Sequence, residues 1–414
     1  MSLSSDRRRL RALPAILGAL VVLGTAAALG PAAAAAAETG GADGVPGVEP
    51  APVVSNTPFD RQGMWIWYVS RSEGGSIPAI VGRAKRYGIG TVYVKAADGG
   101  GLWSQFNKTL ISRLHRGGLD VCAWQFVYGD APATEARAAA ATIRRGADCF
   151  VIDAEGDYEG KYASADLYVR MLRAAAGDAY PISLAGFPYV DYHPSFPYSV
   201  FFGPGGATYN QPQMYWKTIG TSVRAVYEHS YLYNRIWGHP IYPIGQTYEA
   251  PGSTPLRLFR RFAASYGGQA PSWWDWQETA GAEWGALGSS VGKRPVPGYQ
   301  LTVEHPLLKR GSKGDLVVWA QEHLIAAGQE VPVTGIFGKE TRAAVKTFQE
   351  GRGMLADGQI GTDTWAALME LTPYRMPWAR AARRALSGRA AGPSKPLSAL
   401  LPARAYEIDP GPGR

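Results

Sequence analysis

The chain reads as an α/β protein, a (β/α)8 TIM-like barrel with a second, small all-α domain behind it. Three observations predict this. Eight short runs rich in β-formers alternate with helix-period segments, and their ends recur every 27 to 32 residues. No glycine-rich phosphate loop follows the first run, which sets aside the open doubly wound sheet. A later segment repeats itself at a constant shift of 23 residues.

In chain order, residues 1–37 stand outside the fold. Arg7, Arg8, Arg9 and Arg11 precede an apolar stretch from Leu13 to Gly30, and an alanine run ends at Ala37, the pattern of a cleaved export signal. Residues 38–58 are Gly, Ala, Pro and Val without periodicity, a flexible linker. The barrel is expected over residues 59–291. Its strands are the runs "MWIWYVS" at 64, "TVYVKAADG" at 91, "DVCAWQFVYG" at 120, "CFVIDAEG" at 149, "YPISLAGFPY" at 180, "NQPQMYW" at 210, "IYPIGQTYE" at 241 and "SWWDWQE" at 272. Between them, Ile77, Ile80, Val81 and Ala84 fall at helical spacing before Gly88. Phe259, Phe262, Ala263 and Tyr266 make another stripe, with Thr254 as N-cap and Pro255 opening the helix.

A Pro-containing connection over 292–306 leads to the second domain, residues 307–371. There a helix over 315–327 precedes two copies of one unit, "TGIFGKETRAAV" and "DGQIGTDTWAAL", each a glycine turn feeding a helix. The tail, 372–414, is basic and rich in Ala, Arg and Pro, a composition that predicts disorder.

Composition narrows the functional classes. At 414 residues and 46% hydrophobic the chain can bury a full core. Its net charge of +8 falls to +5 once the signal, with four arginines and one aspartate, is removed. That balance suits an anionic cell envelope, whereas nucleic acid would call for a clustered basic patch that the middle of the chain lacks. No stretch beyond the signal is apolar enough to span a bilayer, so no stable membrane insertion is expected after cleavage. Six scattered histidines and no Cys pair at ligand spacing predict neither a metal site nor a cofactor. Cys122 and Cys149 lie level on neighbouring predicted strands; a disulfide and a pair of buried thiols are both open readings.

The chemistry concentrates at strand ends. Asp153 and Glu155 in "FVIDAEGDYEG" are two residues apart, so both emerge on one face of the fourth strand. Glycoside cleavage by general acid catalysis needs one carboxyl that keeps its proton and a second group to carry developing positive charge, and like charges this close create that asymmetry. Glu155, further out, is the expected proton donor, and Asp153 its ionised neighbour. Tyr128, Tyr189, Tyr215, Gln246, Asp275, Trp276 and Gln277 lie near other strand ends, as do Trp65 and Trp67, and flat aromatic faces with polar edges suit sugar rings.

These motifs resemble the muramidase barrels of glycoside hydrolase family 25, which cut the N-acetylmuramic acid to N-acetylglucosamine bond of peptidoglycan. "VYVKAADG" looks like the family's strand-two motif, placing Lys95 and Asp98, and Asp98 joins Glu155 and Asp153 as a catalytic candidate. "IDAEG" looks like its strand-four Asp-x-Glu, and "WDWQE" is similar to its late Trp-Gln element. The family opens strand one with Gly, an aliphatic residue and Asp, whereas "GMW" puts Trp65 in the acid's place. The segment from "LKRGSKGDLVVWAQEHLIAAG" through the "FQ" at Phe348 and Gln349 resembles the three-helix peptidoglycan-binding domain almost end to end. The resemblances imply a secreted, wall-associated glycoside hydrolase whose partner is peptidoglycan or a related cell-wall polysaccharide, tethered there by its small domain. The alternative is a catalytically silent barrel that binds wall glycan as a scaffold.

Overall fold

In a closed parallel barrel, alternate residues of each strand must fill the interior, and the others must face the helical shell. The computed structural model describes residues 57–380 and follows this rule apart from one irregularity in the second strand, between Lys95 and Ala97. The eight strands are β1 (Gly63–Ile66), β2 (Thr91–Asp98), β3 (Asp120–Val127), β4 (Cys149–Ala154), β5 (Ile182–Gly186), β6 (Tyr209–Pro212), β7 (Ile244–Gln246) and β8 (Ser272–Trp274). Each pairs in parallel with its sequence neighbours, β1 also with β8, and single bridges Asn210–Ile241 and Gln213–Ile244 link β6 to β7 and complete the ring. All eight strands coincide with the runs predicted from sequence. The segments 1–37 and 38–56 lie outside the described residues.

Helices α1 (Ile77–Arg86), α2 (Lys108–Arg116), α3 (Pro132–Ile143), α4 (Tyr162–Ala176), α5 (Val223–Asn234), α6 (Ser253–Ser265) and α7 (Gly281–Leu287) cover the outside. Helix α6 starts before the predicted cap: Gly252 is its N-cap, and Thr254 already lies inside the first turn. Among the described residues no helix is long and apolar enough to cross a membrane.

The interior is aromatic. Phe59 plugs the lower end against Tyr93, Tyr209 and Tyr242, and Trp65 stacks on Tyr93 with ring centroids 4.9 Å apart. The Cys122–Cys149 disulfide lies in this filled zone, joining residues in register on β3 and β4. Of the two readings open for these cysteines, the bridge is the one formed.

The second domain consists of α8 (Asp315–Ala326), α9 (Lys339–Gly351) and α10 (Thr362–Met369). The repeat copies diverge from the same device. Gly335 and Gly358 both take positive φ in their turns, which a side chain would strain. A glutamine clamps each turn: Gln321 Oε1 accepts from Thr334 and Gly335 N–H, and Gln349 Oε1 from Gly358 N–H.

The expected tether is instead a fixed dock. After β5 the helical shell is reduced to one turn, Tyr198–Phe201, and α8 packs against it. Asp315, buried, accepts from Ser199 N–H at 2.7 Å and from Ser199 Oγ at 2.6 Å, while its own N–H donates to Pro194 O at 2.7 Å. Gly314 permits that approach, since a Cβ there would lie 2.8 Å from the Pro194 carbonyl. Trp319 donates its indole N–H to Ile236 O and packs on Trp237. The connection 292–306 is held along α6, with Val296 N–H on Ser265 and the Tyr299 and Tyr266 hydroxyls 2.6 Å apart. Residues 372–380, expected to begin a disordered tail, form a strap: Tyr374 N–H donates to Glu322 O, Arg375 and Ala379 N–H reach Asp166, and Trp378 packs on Tyr162. Composition missed this because the partners, on α8 and on α4 of the barrel, lie far away in sequence.

Two outcomes follow from this packing. Losing the disulfide through Cys149→Ala should lower unfolding stability by about 3.5 kcal/mol, the scale for a loop of its 27-residue separation, as read by urea denaturation. Burial pushes the Asp315 carboxyl up to about 7, against the hydrogen bonds from Ser199. Its folded form therefore holds a proton that the unfolded chain releases near pH 4. The stability of wild type relative to Asp315→Asn should be greatest below about pH 4, decline as pH rises, and level off above about pH 7. Parallel denaturation series of the two proteins measure that difference.

Candidate functional site

Strand parity delivers the acids to the barrel mouth. Along β4, Cys149 and Val151 face the interior, and the next inward positions are Asp153 and Glu155, the latter just past the strand end. Both are largely withdrawn from solvent, at 6% and 8% exposure. One side chain joins them: Gln213 Nε2 donates to Asp153 Oδ1 at 3.1 Å and to Glu155 Oε1 at 3.3 Å. The two hydrogens of one amide thus serve two neighbouring carboxyls and offset part of their repulsion.

Tyr215 follows Gln213 on the same inward row. Its phenol is buried, and its pKa is driven well above the ordinary range by burial first, with Tyr248, Asp153, Glu155 and Asp275 acting in the same direction. It is therefore a neutral hydroxyl close to three carboxyl groups. Asp275 is buried too, and its carboxyl is pushed up to about 7 by burial and then by the Glu278 charge. The Glu278 N–H and the Gln277 amide donate to it and pull the other way. Gln277 also accepts from Ser72 Oγ, tying this loop to the one after β1.

Across the mouth, Lys95 is 2% exposed and pairs with Asp98 at 2.8 Å. Its ammonium stands 4.5 Å from the Trp124 ring centroid, 4.6 Å from Trp67 and 5.1 Å from Trp103, a box of aromatic faces that stabilises a desolvated cation. Asp98 accepts a second bond from the Tyr128 hydroxyl at 2.8 Å. The loop carrying Tyr128 is held in turn by buried Glu135, which accepts from Tyr128 and Gly129 N–H. Trp274 closes the floor, 5.4 to 5.7 Å from Trp124, Trp65 and Trp67.

The structure therefore brings together Asp153, Glu155, Tyr215, Asp275, Trp67, Lys95, Asp98 and Tyr128, with Gln277 behind Asp275. Four predicted contacts fall elsewhere. Trp65 shares a register row with Tyr93, below the mouth, and donates its indole N–H to Ser272 Oγ at 2.9 Å. Gln246 is fully buried; its Oε1 accepts from Lys217 and Thr218 N–H, and its Nε2 donates to Thr218 Oγ, so it caps the short turn after β6. Trp276 packs outward on Trp284, and Tyr189 stacks outward on His229 of α5. Tyr189 and Trp276 follow strand ends, where alternation no longer predicts direction, whereas Trp65 lies within β1 and Gln246 is the last residue of β7.

Gln213 and Trp274 were missed as site residues. Gln213 was within reach of the same rule that selected Tyr215, being two residues earlier on the same strand face.

Residues 313–368 match a family model described as "Putative peptidoglycan binding domain". No curated protein sequence matches the chain. Among solved structures it is similar to an endo-beta-1,4-mannanase from Thermotoga petrophila, at 10% identity over 62% of this chain and 82% of that one, with a TM-score of 0.43. A chitinase from Chromobacterium violaceum matches at 10% identity over 55% of this chain and 98% of that one, TM-score 0.40. A family 25 glycosyl hydrolase from Bacillus anthracis matches at 16% identity over 37% and 70%, TM-score 0.27.

Replacing Gln213 by Leu leaves two adjacent buried carboxyls without their shared donor. Gln213→Leu should cost about 1–3 kcal/mol of stability, measured by chemical denaturation at neutral pH.

Proposed function

We propose that the barrel is a glycoside hydrolase acting on the amino-sugar glycan of a cell wall, with Glu155 as general acid, and that the domain at 313–368 binds peptidoglycan. The observation that carries this reading is the pair of carboxyls, Asp153 and Glu155, shielded at the mouth of a closed barrel and joined by one amide. Such a pair can divide the labour, one donating a proton to the glycosidic oxygen while the other stays ionised beneath the developing positive charge. Trp67 and Trp274 supply faces for a sugar ring, and the neutral Tyr215 hydroxyl supplies a donor.

The other acids narrow the mechanism. Trp65 occupies the strand-one position where a carboxylate was expected from the resemblance, and its side chain belongs to the interior. Asp98 is engaged by Lys95 and Tyr128, and the buried Asp275 carries a proton over much of the range below about pH 7. The attacking group is then water or the substrate's own acetamido oxygen, oriented by Asp153. Export through residues 1–37 would place the protein at the wall.

The interior position of Trp65 favours one second reading, a glycan-binding barrel without hydrolysis. Incubating full-length protein and Glu155→Gln with purified cell walls separates the two. On the hydrolase reading, wild type releases new reducing ends and soluble muropeptides, seen by mass spectrometry, and the variant is slower by about 10²–10⁴-fold while still binding walls. Binding by both proteins with release by neither assigns the barrel to the scaffold class.

A further inference from the structure

Beside the mouth a cleft of about 780 Å³ opens between the loop after β1 and the segment that leaves β2. Its lining includes Tyr68, Leu102, Trp103, Gln105, Asn107 and Arg113. The volume lies in the range of small-molecule sites and exceeds what one pyranose ring requires.

Its walls are fixed. Gln105 accepts from Val69 N–H at 3.0 Å and donates to Trp67 O at 2.7 Å and Lys95 O at 3.0 Å, so one side chain ties the two loops together. The cleft is also continuous with the mouth through its aromatic rings. Trp67, at the mouth, lies nearly parallel to Tyr68 with ring centroids 5.9 Å apart, and Tyr68 is 5.3 Å from Trp103. The Lys95 ammonium sits against both Trp67 and Trp103 and holds the two ends of this track in place. Beside the rings stand Ser70, Ser104, Asn107 and Thr109, donors and acceptors at the edges of apolar faces. That mixture fits a sugar, whose C–H face stacks on a ring while its hydroxyls reach polar side chains. Leu102 is 45% exposed at the rim, a large apolar side chain that a bound ring would cover.

We propose that this cleft is a second stretch of glycan-binding surface, which takes the sugar units continuing the chain bound over Asp153 and Glu155. The proposal rests on the reading of the mouth as an amino-sugar site. Its mark is affinity that depends on chain length, with Tyr68 and Trp103 supplying the added contact.

The test uses full-length protein carrying Glu155→Gln, titrated by calorimetry with peptide-free glycan strands from purified walls, fractionated from two to eight sugars. The expected result is a step in dissociation constant of about 3- to 10-fold once the strand is long enough to reach the cleft. Adding Tyr68→Ala should remove the step and leave the affinity for the shortest bound fraction unchanged. Leu102→Ser, an exposed position, should reduce the step without touching the Lys95 box, and it stands in for Trp103→Ala should that variant fail to fold. Affinity flat with length, or a step that survives Tyr68→Ala and Leu102→Ser, overturns the cleft while leaving the mouth reading intact. Failure of every fraction to bind any variant overturns both.

Discussion

A closed ring of eight parallel strands leaves its inward side chains no access to water below the rim, so each must be packed, cross-linked or hydrogen-bonded. The rest of the molecule depends on this constraint. It explains why the lower interior holds Phe59, Tyr93 and Trp65, why two cysteines level on β3 and β4 are joined, and why buried Ser183 bonds Gln211 across β5 and β6. It also explains the abrupt change of chemistry one row higher. Where the strands end, polar groups become tolerable, and each arrives with a partner: Lys95 with Asp98, Gln213 with Asp153 and Glu155.

The same constraint governed what could be read before the structure. Alternation along a strand is local, so β4 announced Asp153 and Glu155, and the level of Cys122 with Cys149 allowed their bridge; Lys95 and Asp98 came from the motif resemblance alone, because the irregularity after Lys95 that lets the two meet breaks the alternation of β2. Closure of the ring is not local. Trp65 looked like a mouth residue because the resemblance set it in the place of a strand-one acid, yet its register with Tyr93 sets it inside. Gln246, Trp276 and Tyr189 sit where strands give way to loops, and their directions are decided by contacts with the turn after β6, α7 and α5. Gln213 was legible in principle, but a glutamine in a predicted strand carries no chemical signal until the acids opposite it are placed.

The acids at the mouth occupy distinct environments, and the differences have separable causes. Asp98 is held by a cation and a phenol, Asp275 is withdrawn from water beside Glu278, and Asp153 and Glu155 share a single amide. One rim therefore presents carboxyls with different partners and different reach. That diversity arises from neighbours on separate strands, so no single motif records it.

The docked small domain has a mechanical consequence. A binding module on a slack cord samples a sphere around its anchor, and its benefit depends on cord length. Here Asp315, Trp319 and the strap over residues 374–379 weld the module to the barrel flank, which turns the pair into a rigid gauge. Two surfaces at a set separation and angle can engage one lattice together only where its strands lie at a matching pitch, so such a protein would grip some wall architectures and slide off others.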